Sequence, residues 1–217
     1  MAVSIYVISA ICGNFQWESN INPGVYEGLN VVPLTDNTVY GGYGLGQWTN
    51  AYGGTLHRRT NLVLWLRANG YADDSGNGQL AYLLVENHWA HNVGTYTSLS
   101  DFLASDSTDI NMLTNVWMRN WEGINSHLSD RQTYANNIYN YLLDHYADTG
   151  LTWVTGNRYL SQSEIYNNAV LVYQYLNGQT PPEPPTPPEP PTPPEPPTPS
   201  DDDFLIILCK KMSTNII

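Results

Sequence analysis

The opening stretch of the chain predicts a buried helix that carries an acidic residue near its end. Its apolar residues recur at the i, i+4 and i+8 positions of one helix face, at Val7, Ile8, Ile11 and Phe15. The Asn-Pro-Gly sequence at residues 22–24 then ends the helix, because proline and glycine interrupt helical hydrogen bonding. We therefore expect Glu18 on the last helical turn, next to Trp17.

A turn-rich and glycine-rich stretch follows this helix. Residues 25–40 mix valines with glycine, proline, aspartate and asparagine, which predicts a small sheet rather than a helix. We expect the next strand of that sheet over residues 40–47, where glycine stands at positions 41, 42, 44 and 46. Glycine leaves the backbone uncovered along one edge, so a ligand can approach that edge closely.

Helical patterns then dominate the chain as far as about residue 178. Apolar spacing and capping signals predict five helices, over residues 56–69, 79–89, 110–121, 130–146 and 162–178. Asp109 is the expected N-cap of the third, and capping boxes at Ser129 and Ser161 open the last two. The pattern predicts an α+β protein that is mainly helical, with a small glycine-rich hairpin or sheet beside the first helix.

Two short stretches imitate metal sites, but each lacks a ligand. Residues 73–78 follow the first half of a calcium-binding loop, yet Leu84 stands where the twelfth position requires a bidentate glutamate. His88 and His91 lie three residues apart without an evident third ligand for zinc. We therefore expect no metal and no cofactor.

Two sequence blocks resemble the phage tail lysozyme family. Residues 10–24, AICGNFQWESNINPG, resemble the family's catalytic-helix motif, and residues 40–49, YGGYGLGQWT, resemble its glycine-rich hairpin. Weaker similarities follow at residues 58–59, 79–86 and 131–136. The resemblance covers roughly residues 5–143. It implies a lysozyme-like fold that cleaves the glycan strands of peptidoglycan, with Glu18 in the catalytic position.

Glu18 has the local setting of a general acid. The negative end of a helix dipole and an apolar neighbour both disfavour an ionised carboxylate, which keeps a proton available for transfer. The plainer alternative is that Glu18 caps a surface turn and is solvated. Asp36 is the candidate partner that guides water or stabilises the oxocarbenium ion. Glu86 and Glu122 lie in predicted helices and are interpreted as ion-pair or scaffold residues.

The glycine-rich block supplies the candidate substrate-binding residues. Gln47 offers one acceptor and two donors to an N-acetyl group or a ring hydroxyl, and Gly46 belongs to the edge that a sugar can approach. We expect Tyr40, Tyr43 and Trp48 to stack on sugar faces. Ordinary core packing is the alternative, equally weighted for Trp48 and less so for the two tyrosines.

The leading functional hypothesis is a lysozyme that hydrolyses the β-1,4 bond between N-acetylmuramic acid and N-acetylglucosamine, during infection or at lysis. One alternative is a lytic transglycosylase, which uses the 6-hydroxyl of the substrate instead of water. Another is a wall-binding tail module without catalysis. The expected location is the phage tail, or the host cytoplasm before assembly, with peptidoglycan and other tail proteins as partners.

Charge narrows the mode of action. The formal net charge is −12, and residues 1–180 hold six arginines, no lysine and fourteen acidic residues, a balance of −8. An acidic enzyme gains no electrostatic steering towards an anionic wall, so delivery has to come from elsewhere. The same acidity argues against nucleic-acid binding, which requires clusters of lysine and arginine.

The cysteines and the first residues bear on where the protein is made. Cys12 and Cys209 are expected to be free thiols, in keeping with a reducing cytoplasm. Residues 2–12 are apolar but lack a basic region before them and run into the Glu18 helix, so we expect neither export nor lipidation.

Residues 1–180 are expected to form the lysozyme-like domain. Residues 158–176 resemble the segment that precedes the catalytic helix in family members, although here they follow it. The helix at 159–178 is therefore interpreted as a replacement for the family's first helix, in the manner of a circular permutation. The alternative is the start of a second, incomplete copy.

Two segments with different roles follow this domain. Residues 181–200 form a proline-rich spacer, with three PPEPPT repeats that favour polyproline II and reach roughly 55 Å at about 3.1 Å per residue. Residues 201–217 combine an acidic run with six apolar residues, far fewer than the about 20 that span a bilayer. We interpret them as a docking peptide or the stub of a further domain.

Overall fold

The computed structural model describes residues 2–50, 57–86, 88–90 and 92–178. These residues contain seven α-helices: α1 Ile5–Ser19, α2 Arg58–Ala68, α3 Gly76–Glu86, α4 Leu99–Leu103, α5 Ile110–Trp117, α6 Leu128–His145 and α7 Gln162–Leu176. They also contain a 3-10 helix Glu27–Leu29, a π-helix Met118–Glu122 and two strands, β1 Gly41–Tyr43 and β2 Trp48–Asn50. The predicted spacer and tail at 181–217, with Cys209, lie outside the described residues, as does His91.

The helices and the small antiparallel sheet form the predicted lysozyme-like α+β arrangement. No helix among the described residues combines the length and the apolar character that crossing a membrane requires.

Helix α1 runs through the core and packs against α5, α6 and α7. Its buried face contains the four apolar residues of the sequence pattern, at Val7, Ile8, Ile11 and Phe15. At its end Asn20 takes the left-handed conformation, with φ 56°, and donates its backbone N–H to the Gln16 carbonyl at 3.0 Å. The predicted helix is confirmed, and Glu18 lies on its last turn.

A close crossing of α1 and α6 depends on a glycine. A Cβ atom added at Gly13 would lie 2.6 Å from the Cβ atom of Ala135 and 2.6 Å from the carbonyl oxygen of Arg131. Only glycine therefore allows this separation of the two helices. The crossing brings the Arg131 side chain to the end of α1 that carries Glu18.

The sheet is smaller than the sequence pattern predicted. β1 and β2 pair antiparallel, with Tyr43 opposite Trp48, and residues 44–47 form the turn between them instead of continuing a strand. Residues 30–40 contain no strand. Their carbonyl groups are instead bound by the buried guanidinium of Arg59, which donates to the oxygens of Asp36 and Val39 at 2.8 Å. A side chain thus replaces the predicted strand pairing.

The capping predictions have mixed outcomes. Asp109 caps α5 as predicted, since its Oδ1 accepts the Met112 N–H at 2.9 Å. The capping box predicted at Ser129 is wrong, because α6 begins at Leu128 after His127, which has φ 59° and makes no side-chain cap. Ser129 is therefore already inside the helix.

Helix α7 packs against α1, α3 and α6. The capping box predicted at its start is present, with Ser161 and Glu164 bonding reciprocally. Near the two ends of α1, α7 is held by hydrogen bonds: Val3 N–H donates to Asn177 Oδ1 at 2.8 Å, and Asn168 Nδ2 donates to the Ile21 carbonyl at 2.9 Å. These bonds fasten α7 along the length of α1.

Candidate active site

A cleft of about 540 Å³ opens at the C-terminal end of α1. It is lined by side chains from several elements, among them Trp17, Glu18, Glu27, Gln47, Glu122 and Tyr159. The α1–α6 crossing forms one side, and the β1–β2 turn with the 3-10 helix contributes another part of the lining. The predicted residues Glu18, Gln47, Tyr40 and Gly46 meet here.

A buried arginine joins two carboxyl groups at this cleft. The Arg131 guanidinium is fully buried; its Nη2 donates to Glu18 Oε1, and its Nη1 donates to Glu122 Oε2 at 2.5 Å and to Asn14 Oδ1 at 3.0 Å. The Glu18 side chain is 21% exposed and that of Glu122 only 5%. The interpretation of Glu122 as an ion-pair residue is confirmed, and Glu18 is the more accessible carboxyl.

The two carboxyl groups favour one shared proton. Burial, followed by the neighbouring Glu18 carboxyl, raises the pKa of Glu122 well above its usual range, while Arg131 opposes that shift. Both carboxyl groups bind the one buried guanidinium of Arg131, so one cation and one proton balance the pair.

The surroundings of Glu18 differ from the apolar setting expected from the sequence. The Trp17 ring stacks on His127, with centroids 4.3 Å apart, and lies over the Arg131 guanidinium at 5.9 Å. The Glu18 carboxyl itself lies beside the charged Arg131 guanidinium, which also binds Glu122. Sequence position alone missed Arg131, although residues 131–136 had been recognised as similar to the family.

The turn between β1 and β2 brings polar groups to the cleft. The two hydrogens of Gln47 Nε2 bond to the Val25 and Gly44 carbonyls at 3.3 and 3.1 Å, which leaves the amide oxygen to offer a ligand. Gly46 packs on the Trp121 ring so closely that a Cβ atom there would overlap it. Glu27, which sequence analysis missed, accepts the Gly42 N–H at 2.8 Å through Oε2 and lines the same cleft.

Two predicted sugar-stacking residues lie in the core instead. Tyr43 and Trp48 are buried, so the prediction that they stack on sugar is wrong. Trp48 Nε1 donates to Glu86 Oε2 at 3.0 Å, and Glu86 forms the expected ion pair with Arg58 at 2.7 Å. Tyr40 lines the cleft and is exposed, and its stacking on a sugar stays a prediction.

Asp36 lies in an exposed turn and does not line the cleft. Its Oδ1 accepts hydrogen bonds from the Thr38 hydroxyl at 2.7 Å and the Thr38 N–H at 2.8 Å, and these bonds lower the pKa of Asp36. The carboxylate thus stabilises its own turn. Its predicted assistance in catalysis has no support from this placement.

The calcium-like loop serves another purpose. Asp73 pairs with Arg67 at 2.6 Å, and Gly76 begins α3. Among the residues that the structure describes, no group of three or more His, Cys, Asp or Glu side chains is placed to hold a metal ion.

Tyr159 lines the cleft at the end of a loop, residues 156–159, and sequence analysis missed it. Asn22 Nδ2 donates to the Gly156 and Arg158 carbonyls at 2.7 and 2.8 Å, and Asn157 Oδ1 accepts the Tyr26 N–H at 3.2 Å. Tyr159, 65% exposed, extends from this anchored loop into the cleft lining. No sequence pattern marks it, because the contact joins segments more than 130 residues apart.

A known protein family matches the greater part of the chain. The family model described as phage tail lysozyme matches residues 2–142. No curated protein matches the chain. The matched region includes Glu18, Glu122 and Arg131, whereas Tyr159 and α7 lie beyond it.

Proposed function

Because the chain belongs to the phage tail lysozyme family, whose members are lysozyme-like and act on the cell wall, we propose that it hydrolyses the β-1,4 bond between N-acetylmuramic acid and N-acetylglucosamine. The observation that carries this proposal is the accessible Glu18 carboxyl at the cleft, held by a buried Arg131 that also binds a second carboxyl. Breaching the wall at infection or at lysis is the role that fits a tail lysozyme.

The proposed reaction uses the shared proton of the carboxyl pair. Glu18 donates a proton to the glycosidic oxygen as the bond to the sugar ring breaks, and a water molecule adds to the resulting oxocarbenium-like carbon. We assign to Glu27 the role first given to Asp36, because Glu27 lines the cleft and does not belong to the Glu18–Glu122 pair that Arg131 holds. Its carboxylate steadies the positive charge or orients the water.

A purely wall-binding module is the weaker alternative. Burying Glu122 and Arg131 costs desolvation energy that a binding groove has no reason to incur. A lytic transglycosylase would use the same acid, and only its products distinguish it.

The test is the substitution Glu18→Gln, which keeps the volume of the side chain but removes the acid. We expect turnover of purified peptidoglycan to fall about 10²- to 10⁴-fold, with glycan binding retained. Glu27→Gln should reduce turnover to a smaller extent, and Asp36→Asn should leave it near the parent rate. Mass spectrometry of the products should show saturated reducing ends; 1,6-anhydro ends would identify a transglycosylase.

Parent-rate clearance of peptidoglycan by the folded Glu18→Gln protein would contradict the assignment of the acid. Loss of turnover in Asp36→Asn as large as in Glu18→Gln would restore the role that the sequence predicted for Asp36.

A further inference from the structure

We propose that Glu122 is a positioning residue that holds a proton against Glu18 and so sets the pH above which the enzyme stops working. This inference rests on the proposed function, since it takes Glu18 as the general acid. It assigns a role to a buried carboxyl that charge pairing with Arg131 alone does not explain.

Charge balance favours one proton on the pair of carboxyl groups. With both carboxyls ionised, two negative charges would face one buried guanidinium, leaving an uncompensated charge in a site where desolvation is costly. Asn14 adds only a neutral oxygen to Arg131. One proton on the pair brings Glu18, Glu122 and Arg131 to zero net charge.

A buried oxygen of the Glu122 carboxyl also favours a proton on the pair. Glu122 Oε1 is buried and accepts no hydrogen bond from the described residues, while its Oε2 is occupied by Arg131. A buried acceptor without a partner is costly, but the same oxygen is stable when it carries a hydrogen atom directed at another acceptor. The Glu18 carboxyl, bound to the other terminal nitrogen of the same guanidinium, is the neighbouring acceptor.

Other charged groups lie near the pair of carboxyl groups. From α2, Arg58 lies over the Trp121 ring at 4.7 Å, but its charge is balanced by Glu86 of α3. His127 stacks on Trp17 and is paired with Asp130 at 3.6 Å, and both side chains are about half exposed. Glu27 lines the same cleft, and its carboxylate accepts the Gly42 N–H. Arg131 is thus the cation that contacts both carboxyls of the pair.

The proton cycle is balanced. The hydrogen atom of the pair lies between Glu122 and Glu18 before reaction; Glu18 delivers it to the glycosidic oxygen as the carbon–oxygen bond breaks. Water then adds to the ring carbon, and the proton that it releases returns to the pair. Glu122 is ionised during the interval, when Arg131 compensates its charge.

The test is the pH–rate profile of Glu122→Gln. Glutamine keeps an oxygen for Arg131 and nearly the same volume, but it removes the like charge next to Glu18. A single carboxyl then faces the buried Arg131 guanidinium, so charge balance no longer requires a proton at the site. We expect the alkaline limb of the profile to move down by about one pH unit or more, with activity recovered on the acidic side.

Asp73→Asn is the control, because it too removes a carboxylate paired with an arginine, and neither Asp73 nor Arg67 lines the cleft. Its alkaline limb should stay at the parent pH, whatever its absolute rate. A Glu122→Gln protein with an equal loss of rate at every pH would show a merely structural role and overturn the inference.

A measurement on the unaltered chain guards against a variant that does not fold. With ¹³C-labelled glutamate, NMR titration should show one carboxyl that keeps its proton into the neutral range; ionisation of all of them below about pH 5 would overturn the inference. This result does not depend on turnover. A parent protein that cleaves no peptidoglycan would defeat the proposed function, while an unshifted limb in an active enzyme would defeat only the role of Glu122.

Discussion

At the scale of single residues, Tyr159 places an aromatic ring at the cleft from outside the family match. The bonds from Asn22 fix the backbone just before Tyr159, so the loop that carries the ring is in place before any ligand arrives. An aromatic ring buries the apolar face of a sugar at small entropic cost. We therefore expect Tyr159 to strengthen binding without taking part in bond cleavage.

Replacing Tyr159 with alanine should raise the dissociation constant for soluble glycan fragments about three- to tenfold, equivalent to roughly 0.7–1.4 kcal/mol. Titration calorimetry with the Glu18→Gln protein as the background measures this without turnover. Tyr159→Phe should bind normally, since the ring is what matters. Tyr146→Ala, which removes an exposed tyrosine that does not line the cleft, is the control. Unchanged affinity in Tyr159→Ala would refute the role.

The sequence identified Glu18 because one helix face and one motif place it. The spacing of residues along the sequence could not place Arg131 and Glu122 beside Glu18. Arg131 reaches Glu18 because α1 and α6 cross closely at Gly13, and Arg131 also binds Glu122. Burial of Trp48 likewise depends on contacts distant in sequence, with the rings of Tyr82 and Trp121.

At the scale of elements, α7 closes the fold that α1 begins. Ile165, Ala169 and Val172 are buried, and the bond between Val3 and Asn177 joins the two ends of the described domain. This packing supports the proposal that α7 replaces a first helix in a permuted order. The alternative, an unattached second copy, would leave these side chains without a core.

A chain ending at Asp148 should therefore be much less stable than one ending at Gly178. Loss of α7 exposes apolar surface worth on the order of 5 kcal/mol or more, a large part of the stability of a domain. We expect the melting temperature to fall by roughly 10 °C or more in calorimetry. The chain ending at Gly178 should match the full-length protein. Equal melting temperatures for the two shortened chains would disprove the role of α7.

Elements with strong periodicity were predictable, and those set by long-range contacts were not. The patterns of α1, α5 and α7 gave the correct helices. The small sheet predicted over residues 25–40 has no strand at residues 30–40, because Arg59, 20 or more residues further along the chain, binds the backbone carbonyls of Asp36 and Val39. The π-helix Met118–Glu122 leaves no periodic signal, yet it determines the direction of Glu122.

At the scale of the whole molecule, the acidic charge gives the enzyme no electrostatic attraction to the cell wall, so something else has to bring it there. The net charge of −12 gives no attraction to an anionic wall, and the sequence places a proline-rich spacer and an apolar tail after the domain. We propose that residues 181–217 attach the enzyme to a phage tail. The family assignment fits a protein that travels with the virion.

Deleting residues 181–217 should leave hydrolysis of soluble glycan fragments unchanged, because the cleft is built from residues before 160. Incorporation into phage particles should be lost, as measured by immunoblotting of purified virions. Replacing the spacer with a glycine–serine linker of equal length, with the last 17 residues kept, is the control for attachment. A large loss of turnover on soluble substrate would show instead that the tail contributes to the active site.

The bond between Val3 and Asn177 also determines where mechanical load reaches the domain. The described chain leaves beside the start of α1, and Glu18 stands at the far end of that helix, roughly 20 Å away at 1.5 Å per residue. A pull applied at residue 178 is thus taken up by the ends of α7 and α1, on the side of the domain remote from the cleft. We therefore expect the cleft to stay accessible to a cell wall while the domain is held at residue 178.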